Sequence, residues 1–355
     1  MRIGITGVGR IGVMHATNLA ATPGVTELVL HDPVPGRAET AAAELGGAHP
    51  GLAVRAVGSD DAAYPQLLAA VDGVLVTTPT PTHAAAVHAA LDAGVPTLVE
   101  KPIAGDLETM REVIAHAERS GVPLLVGFQR RFDPAIAELK RRIAGGEIGD
   151  LYLVRAIAFD AVPPPAEYIP TSGGIFRDMF VHDLDCVPWL VGRPVESVQA
   201  TGSVLVDDAF RQAGDVDTAA ITLTFAGGVI AQICGGRRNG TGYDNRIEAV
   251  GSLQSLTSGL DARTPIVSLE PGGHDPATSE LGAYPGFPQR YARAYAAEVA
   301  TFLDVISGTA ENPSPARDSV VSLILAQACE ESMRTGAPVH VDPAAYAGVQ
   351  QEVTA

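Results

Sequence analysis

The sequence predicts an α/β protein in two parts: a doubly wound parallel sheet at the amino end, then an α+β domain built on a large, mostly antiparallel sheet. Up to about Gly127, short β-branched runs alternate with alanine-rich amphipathic segments, the rhythm of parallel strands joined by helices. Beyond Gly127, apolar residues alternate along longer segments separated by turn signals, as expected where helices cover one sheet face. At 355 residues the chain is also too long for one ordinary core. Domains at 1–127 and 128–355 follow.

The elements read in order. RIGITG is a buried strand, followed by a helix to Ala20, and ELVLHD, AVRAVG, GVLVTTP, TLVEKP and PLLVGF continue the series of strands. The helix from Ala84 to Ala93 stops at Gly94, with Pro96 beyond it. In the second half LYLVRAIAF, SVQATGSVLV, TAAITLTFAGGVIAQICGG and RIEAVGS supply strands, with a hairpin turn at Ala226-Gly227-Gly228. The stretch GGIFRDMFVHDLD, from Gly173 to Asp185, reads as one helix. On it Asp178, His182 and Asp185 fall within an arc of about 60°, with Phe180, Leu184, Val187 and Val191 on the far side. That polar face is either a solvated stripe or a functional one. The Pro- and Gly-rich segment Glu270 to Gln289 is long for a connection and is either a disordered insertion or, the preferred reading, a lid.

Composition excludes several partners. A formal net charge of -17 repels the phosphate backbone of nucleic acid and anionic membrane surfaces, and no basic patch offsets it. Cys186, Cys234 and Cys329 are widely spaced, so neither a disulfide framework nor a zinc cage is indicated, and buried free thiols are expected. His182, Asp183 and Asp185 do not make a metal site, because on a helix Asp183 points about 100° away from His182. No secretory signal or membrane-spanning run is present, and a cytoplasmic protein is expected.

Gly7-Val8-Gly9-Arg10-Ile11-Gly12 follows a strand and opens a helix. Its glycines suit a tight turn, close approach of the backbone to a pyrophosphate, and room for helix against strand, with phosphates at the positive helix end. Asp32, twenty residues past Gly12, ends the next strand, where a carboxylate accepts from ribose hydroxyls and repels a 2'-phosphate. The domain therefore reads as a Rossmann domain that takes NAD, with NADP less favoured; Arg37 is the nearby cation that keeps NADP open. In Leu98-Val99-Glu100-Lys101-Pro102 an apolar strand ends on a charged pair, at the edge where open α/β sheets bind ligands. Lys101 there can hydrogen-bond a substrate hydroxyl and stabilise a developing alkoxide.

With these residues in hand, the chain resembles the Gfo/Idh/MocA oxidoreductase family, and within it the inositol 2-dehydrogenases. The resemblance covers nearly the whole length through GVGRIG, VEKPIAG, GFQRRFD at 127–133, PPPAEYI at 163–169 and GGIFRDMFVHDLD. It implies a catalytic triad of Lys101, Asp178 and His182, in which His182 takes the proton of a secondary hydroxyl as hydride passes to nicotinamide C4. Imidazole chemistry agrees, since it titrates near neutral pH and a neighbouring carboxylate stabilises its cation. The resemblance further implies substrate contacts from Arg130, Asp160, Asp185 and Tyr243. It also implies cofactor contacts from Glu100, Lys101, Thr78 and His83, the last two alternatively capping the helix that follows. Arg131 is alternatively a structural ion-pair partner. A homodimer or homotetramer acting on a polyol, cyclitol or sugar, without a metal, is the implied assembly.

One departure stands out. Closely similar inositol dehydrogenases carry RSRDP before the proline run, where this chain has Ile157-Ala158-Phe159-Asp160-Ala161. A pocket with fewer donors suits a less hydroxylated, amino-substituted or anhydro sugar. An enzyme that recycles its NAD during an epimerising or glycosidic step, and a non-catalytic NAD-binding sensor, are the alternatives; retention of Lys101, Asp178 and His182 together argues against the sensor.

Overall fold

The structure is a computed structural model that describes residues 1–342 and divides into two compact units. In the first unit β1 (Arg2–Thr6), α1 (Arg10–Ala21), β2 (Glu27–His31), α2 (Arg37–Ala48), β3 (Ala53–Ala56) and α3 (Ala63–Leu68) alternate. They are followed by β4 (Gly73–Val76), α4 (His83–Asp92), β5 (Thr97–Glu100), α5 (Leu107–Ser120) and β6 (Leu124–Gly127). The six strands are parallel in the order β3-β2-β1-β4-β5-β6. Strand order reverses between β1 and β4, so the chain leaves their carboxyl ends in opposite directions and opens a crevice there.

The second unit begins with α6 (Pro134–Ala144), β7 (Leu151–Phe159), α7 (Ile175–Asp178), α8 (Val181–Val191), β8 (Val195–Ser203) and α9 (Asp208–Gln212). It continues with β9 (Thr218–Phe225), β10 (Ile230–Gly236), β11 (Asp244–Gly251), β12 (Ser255–Ser258) and α10 (Phe287–Arg290). The chain ends its described part with α11 (Ala292–Ser307), α12 (Ser319–Thr335) and β13 (Val339–His340). The seven-stranded sheet runs β12-β11-β7-β10-β9-β8-β13 and is antiparallel except for the β7–β10 pair. Val154, Ala156 and Ala158 of β7 alternate inward with Ile221 and Leu223 of β9 and Ile233 of β10, and α8 packs on β7.

A single boundary after Gly127 does not describe the whole chain. Arg293–Val320 groups with the first unit, because Val299, Phe302 and Leu303 of α11 share one core with Ile3, Ile5, Leu28, Leu30 and Leu98. An amphipathic helix buries its stripe wherever a sheet face is open, whatever its place in sequence. The end of the expected second domain, 343–355, lies outside the described residues.

The expected single helix through Gly173–Asp185 is also corrected. α7 ends at Asp178, and the Met179 and Phe180 amides both donate to the Ile175 carbonyl before α8 starts at Val181. The Phe180 bond spans five residues instead of four, so the turn widens there and the regular repeat of α7 is lost before α8 begins. Asp178 and His182 therefore sit on different helices, and Asp185, only 3% exposed, is not on a solvated stripe.

Glu270–Gln289 is tied down rather than disordered. The Ser268 amide donates to the His274 carbonyl, Tyr284 Oη donates to Asp261, and the Tyr243 amide donates to the Tyr284 carbonyl. Cys186 and Cys329 are buried thiols and Cys234 is half-buried. Among the described residues no helix is long and apolar enough to cross a membrane.

Candidate active site

At the point where strand order reverses, the turn from β1 to α1 is crowded on two glycines and open on the third. Gly7 has φ +93°, and a Cβ there would stand 2.6 Å from the Thr78 amide nitrogen. At Gly12 a Cβ would stand 2.0 Å from the Gly7 carbonyl oxygen. Around Gly9 nothing lies within 4 Å of the corresponding position. The first and third glycines thus let β1, β4 and α1 close on one another, while the second leaves room for a ligand. α1 starts at Arg10 and Ile11 with no side-chain cap, so the helix end suits a pyrophosphate.

Asp32 is 3% exposed and braces this turn: Oδ2 accepts from the Val8 amide and Oδ1 from the Val34 amide, both at 2.9 Å. A carboxylate has about four acceptor positions, so capacity remains for ribose hydroxyls. Arg37 is engaged with the same carboxylate, Nη1 lying 3.4 Å from Oδ1. Across the turn, Thr77 Oγ1 donates to the Gly7 carbonyl at 2.6 Å. These residues fit a dinucleotide.

His83 is a buried brace. Its ring nitrogens lie 2.8 Å from the Pro102 carbonyl oxygen and 2.6 Å from that of Thr78, joining the loops after β4 and β5. It does not cap α4, whose first turn has no side-chain cap; the Thr78 hydroxyl accepts from Thr82. Lys101 is half-buried at the end of β5, ahead of a cis bond to Pro102, and its amide donates to Glu100 Oε2 at 3.3 Å. Arg130 and Arg131 are both buried in a short turn after β6. Arg131 is a structural partner, donating to Asp318 at 2.8 Å and to the Pro313 carbonyl at 3.2 Å.

In the second unit the sequence-predicted acids Asp178 and Asp160 meet on a residue that sequence reasoning missed. Arg237, just past β10, donates from Nη2 to Asp178 Oδ2 at 2.8 Å and from Nη1 to Asp160 Oδ2 at 3.4 Å. The second Asp178 oxygen accepts from Tyr168 Oη at 2.9 Å. Burial works against the Arg237 charge, but the two aspartates outweigh it and hold the guanidinium above its ordinary value. Its planar fork suits two carboxylates better than an ammonium would. Each oxygen of Asp178 thus accepts a hydrogen bond, one from Tyr168 and one from Arg237. His182 is half-buried on a helix whose neighbours Val181, Asp183, Leu184 and Asp185 are all buried. Tyr243 is half-buried immediately before β11.

After the apolar Ile157–Phe159, Asp160 is thus paired with Arg237, which follows β10. A faint signal for it existed: Arg237-Arg238 interrupts an apolar strand at its glycine-rich end.

A glycine turn into an uncapped helix at a reversal of strand order, a buried carboxylate after the second strand, and a clamped aspartate near a half-buried histidine define a nucleotide-dependent oxidoreductase. Residues 1–128 match the oxidoreductase family with an NAD-binding Rossmann fold, and residues 136–257 match the GFO/IDH/MocA C-terminal domain. A myo-inositol dehydrogenase of Streptomyces leeuwenhoekii is 37% identical, covering 95% of this chain and 98% of that one. The scyllo-inositol 2-dehydrogenase (NAD(+)) of Bacillus subtilis is 33% identical, over 98% and 99%. The crystal structure of a myo-inositol dehydrogenase from Corynebacterium glutamicum superposes with a TM-score of 0.82 at 36% identity, over 97% and 99%. The chain belongs to the Gfo/Idh/MocA oxidoreductase family, and its cofactor is NAD.

Proposed function

We propose that the protein is a cyclitol dehydrogenase that oxidises a secondary ring hydroxyl at the expense of NAD. NAD, when bound by the Gly7–Gly12 turn, Asp32 and the β4 and β5 loop residues, supplies the two-electron acceptor for the hydride. His182 is the base that takes the hydroxyl proton, Asp178 stabilises the resulting imidazolium, and Lys101 donates a hydrogen bond to the oxygen that becomes a carbonyl. Arg130, Asp160, Asp185 and Tyr243 are proposed to receive the remaining ring hydroxyls. The reading is carried by the Arg237–Asp178–Tyr168 arrangement. A carboxylate held on both oxygens, and only partly exposed, suits a histidine base on the helix that follows and is costly if it merely fills a surface. The inositol dehydrogenases among the relatives support the substrate class.

The decisive experiment is a panel of inositol isomers, aminocyclitols, hexoses and anhydro sugars incubated with NAD while NADH is followed by absorbance. Steady NADH accumulation with a cyclitol is expected. Product formed without NADH accumulation would replace this reading with a recycled-cofactor enzyme. The broad second sheet also suits a homodimer or homotetramer, checked by light scattering.

A further inference from the structure

The first unit buries an acid that neither the nucleotide turn nor the Arg237 arrangement uses. Glu298 lies on the apolar face of α11 with Ala294, Tyr295, Val299 and Phe302, and it is fully buried. Neither of its carboxylate oxygens has a hydrogen-bond partner among the described residues. It faces His15 of α1 and Glu100 at the end of β5, and one side-chain nitrogen or oxygen from each of the three lies within 4.8 Å of the others.

Glu100 is held at both carboxylate oxygens. His15 Nε2 sits 2.8 Å from its Oε1, and the His15 ring stands edge-on to Tyr295. The other oxygen, Oε2, accepts from the Lys101 amide. Its carboxyl lies over Gly127 of β6, where a Cβ would come within 3.2 Å of it. The titratable groups around Glu298 are thus His15 from α1, Glu100 from β5 and Tyr295 from α11 itself, with Lys101 next to Glu100 in sequence.

Two ionised carboxylates this close repel each other, and the fully buried Glu298 has no donor to offset a charge, whereas Glu100 has His15 Nε2 and the Lys101 amide; keeping Glu298 neutral is the low-energy arrangement. Burial first, and then the charge of Glu100, push the Glu298 carboxyl well above its ordinary value.

We propose that Glu298 is carried as a neutral carboxylic acid and acts as a positioning residue: without a charge it packs beside Glu100 instead of repelling it, which keeps Glu100, and through it the main chain of Lys101, in place. The role given to Lys101 rests on the function proposed above; the proton on Glu298 does not.

The test uses the full chain. The infrared spectrum of the wild type at neutral pH is expected to show the carbonyl band of a protonated carboxyl that is missing in Glu298→Gln. A carboxyl whose folded value lies above its ordinary 4.5 loses stability for the fold as pH rises from that ordinary value. The wild type is therefore expected to lose melting temperature relative to Glu298→Gln progressively as pH rises above that ordinary value. Glu298→Gln, which keeps the shape and a donor, should hold kcat within about threefold, whereas Glu298→Leu should lower it more than about tenfold at unchanged KM for NAD. A wild-type spectrum without the band, a Glu298→Leu enzyme with normal kcat, or one equivalent of metal in the purified protein would each overturn the proposal. Failure of every cyclitol to reduce NAD would instead sink the function, and the infrared result would still judge the proton.

Discussion

The two halves of the machinery are specified in different ways. In the first unit the nucleotide turn is a matter of backbone: six consecutive residues, Gly7 to Gly12, set it, and its geometry depends on atoms that are absent. In the second unit the Asp178 arrangement is a matter of side chains. Tyr168, Asp178, Asp160 and Arg237 come from the loop before α7, the end of α7, the residue after β7 and the residue after β10. The first should break when atoms are added, the second when charges are removed.

The largest effect should come from the imidazole. His182→Ala is expected to lose about 10³-fold in kcat while NAD binding, followed by quenching or calorimetry, persists; near-normal turnover would refute its role as base. Next comes the clamp. Arg237→Leu leaves two largely buried aspartates without their shared cation, a change that costs about 3 kcal/mol where one partner of a buried pair is removed. Chemical denaturation should detect the loss together with a fall in kcat, and Arg237→Lys should restore only part of both because one ammonium cannot fork between two carboxylates. An Arg237→Leu protein as stable as the wild type would show that the clamp is incidental.

On the backbone side the effects are smaller and sharper. Asp32→Ser should relax the NAD over NADP preference by about tenfold and weaken NAD binding, since the carboxylate also receives the Val8 and Val34 amides. Unchanged selectivity would count against a ribose contact. Smallest is Gly9→Ala: the residue has φ -73°, acceptable to any side chain, and nothing stands near its Cβ position. Melting should stay within about 1 °C of the wild type while the Kd for NAD rises severalfold. A normal Kd would mean that Gly9 does not face the cofactor.

The difference also explains what could be read from residues in line. The strand series, the hairpin at Gly227-Gly228 and the nucleotide turn are local, each set by side chains or glycines within a few positions, and they appear where the sequence places them. Periodicity predicts one continuous helix through Asp178 and His182 because it assumes a straight cylinder. The five-residue bond from the Phe180 amide to the Ile175 carbonyl, which widens the turn, leaves no mark in that repeat. Glu298 did leave a trace, an acid on the apolar stripe of AYAAEVATF, although nothing in line points to His15 or Glu100 as its neighbours.

By itself, the sequence determined the architecture, the dinucleotide turn and the identity of the chemically able residues, because backbone preference and apolar periodicity act over a few neighbouring positions. Only the tertiary structure decided that Arg237 holds Asp178 and Asp160, that α11 returns to the first sheet, and that Glu298 lies against His15 and Glu100. Those pairings join residues tens to hundreds of positions apart. They are selected by the need to give each buried charge a partner or a proton, and that need arises only once packing has removed water.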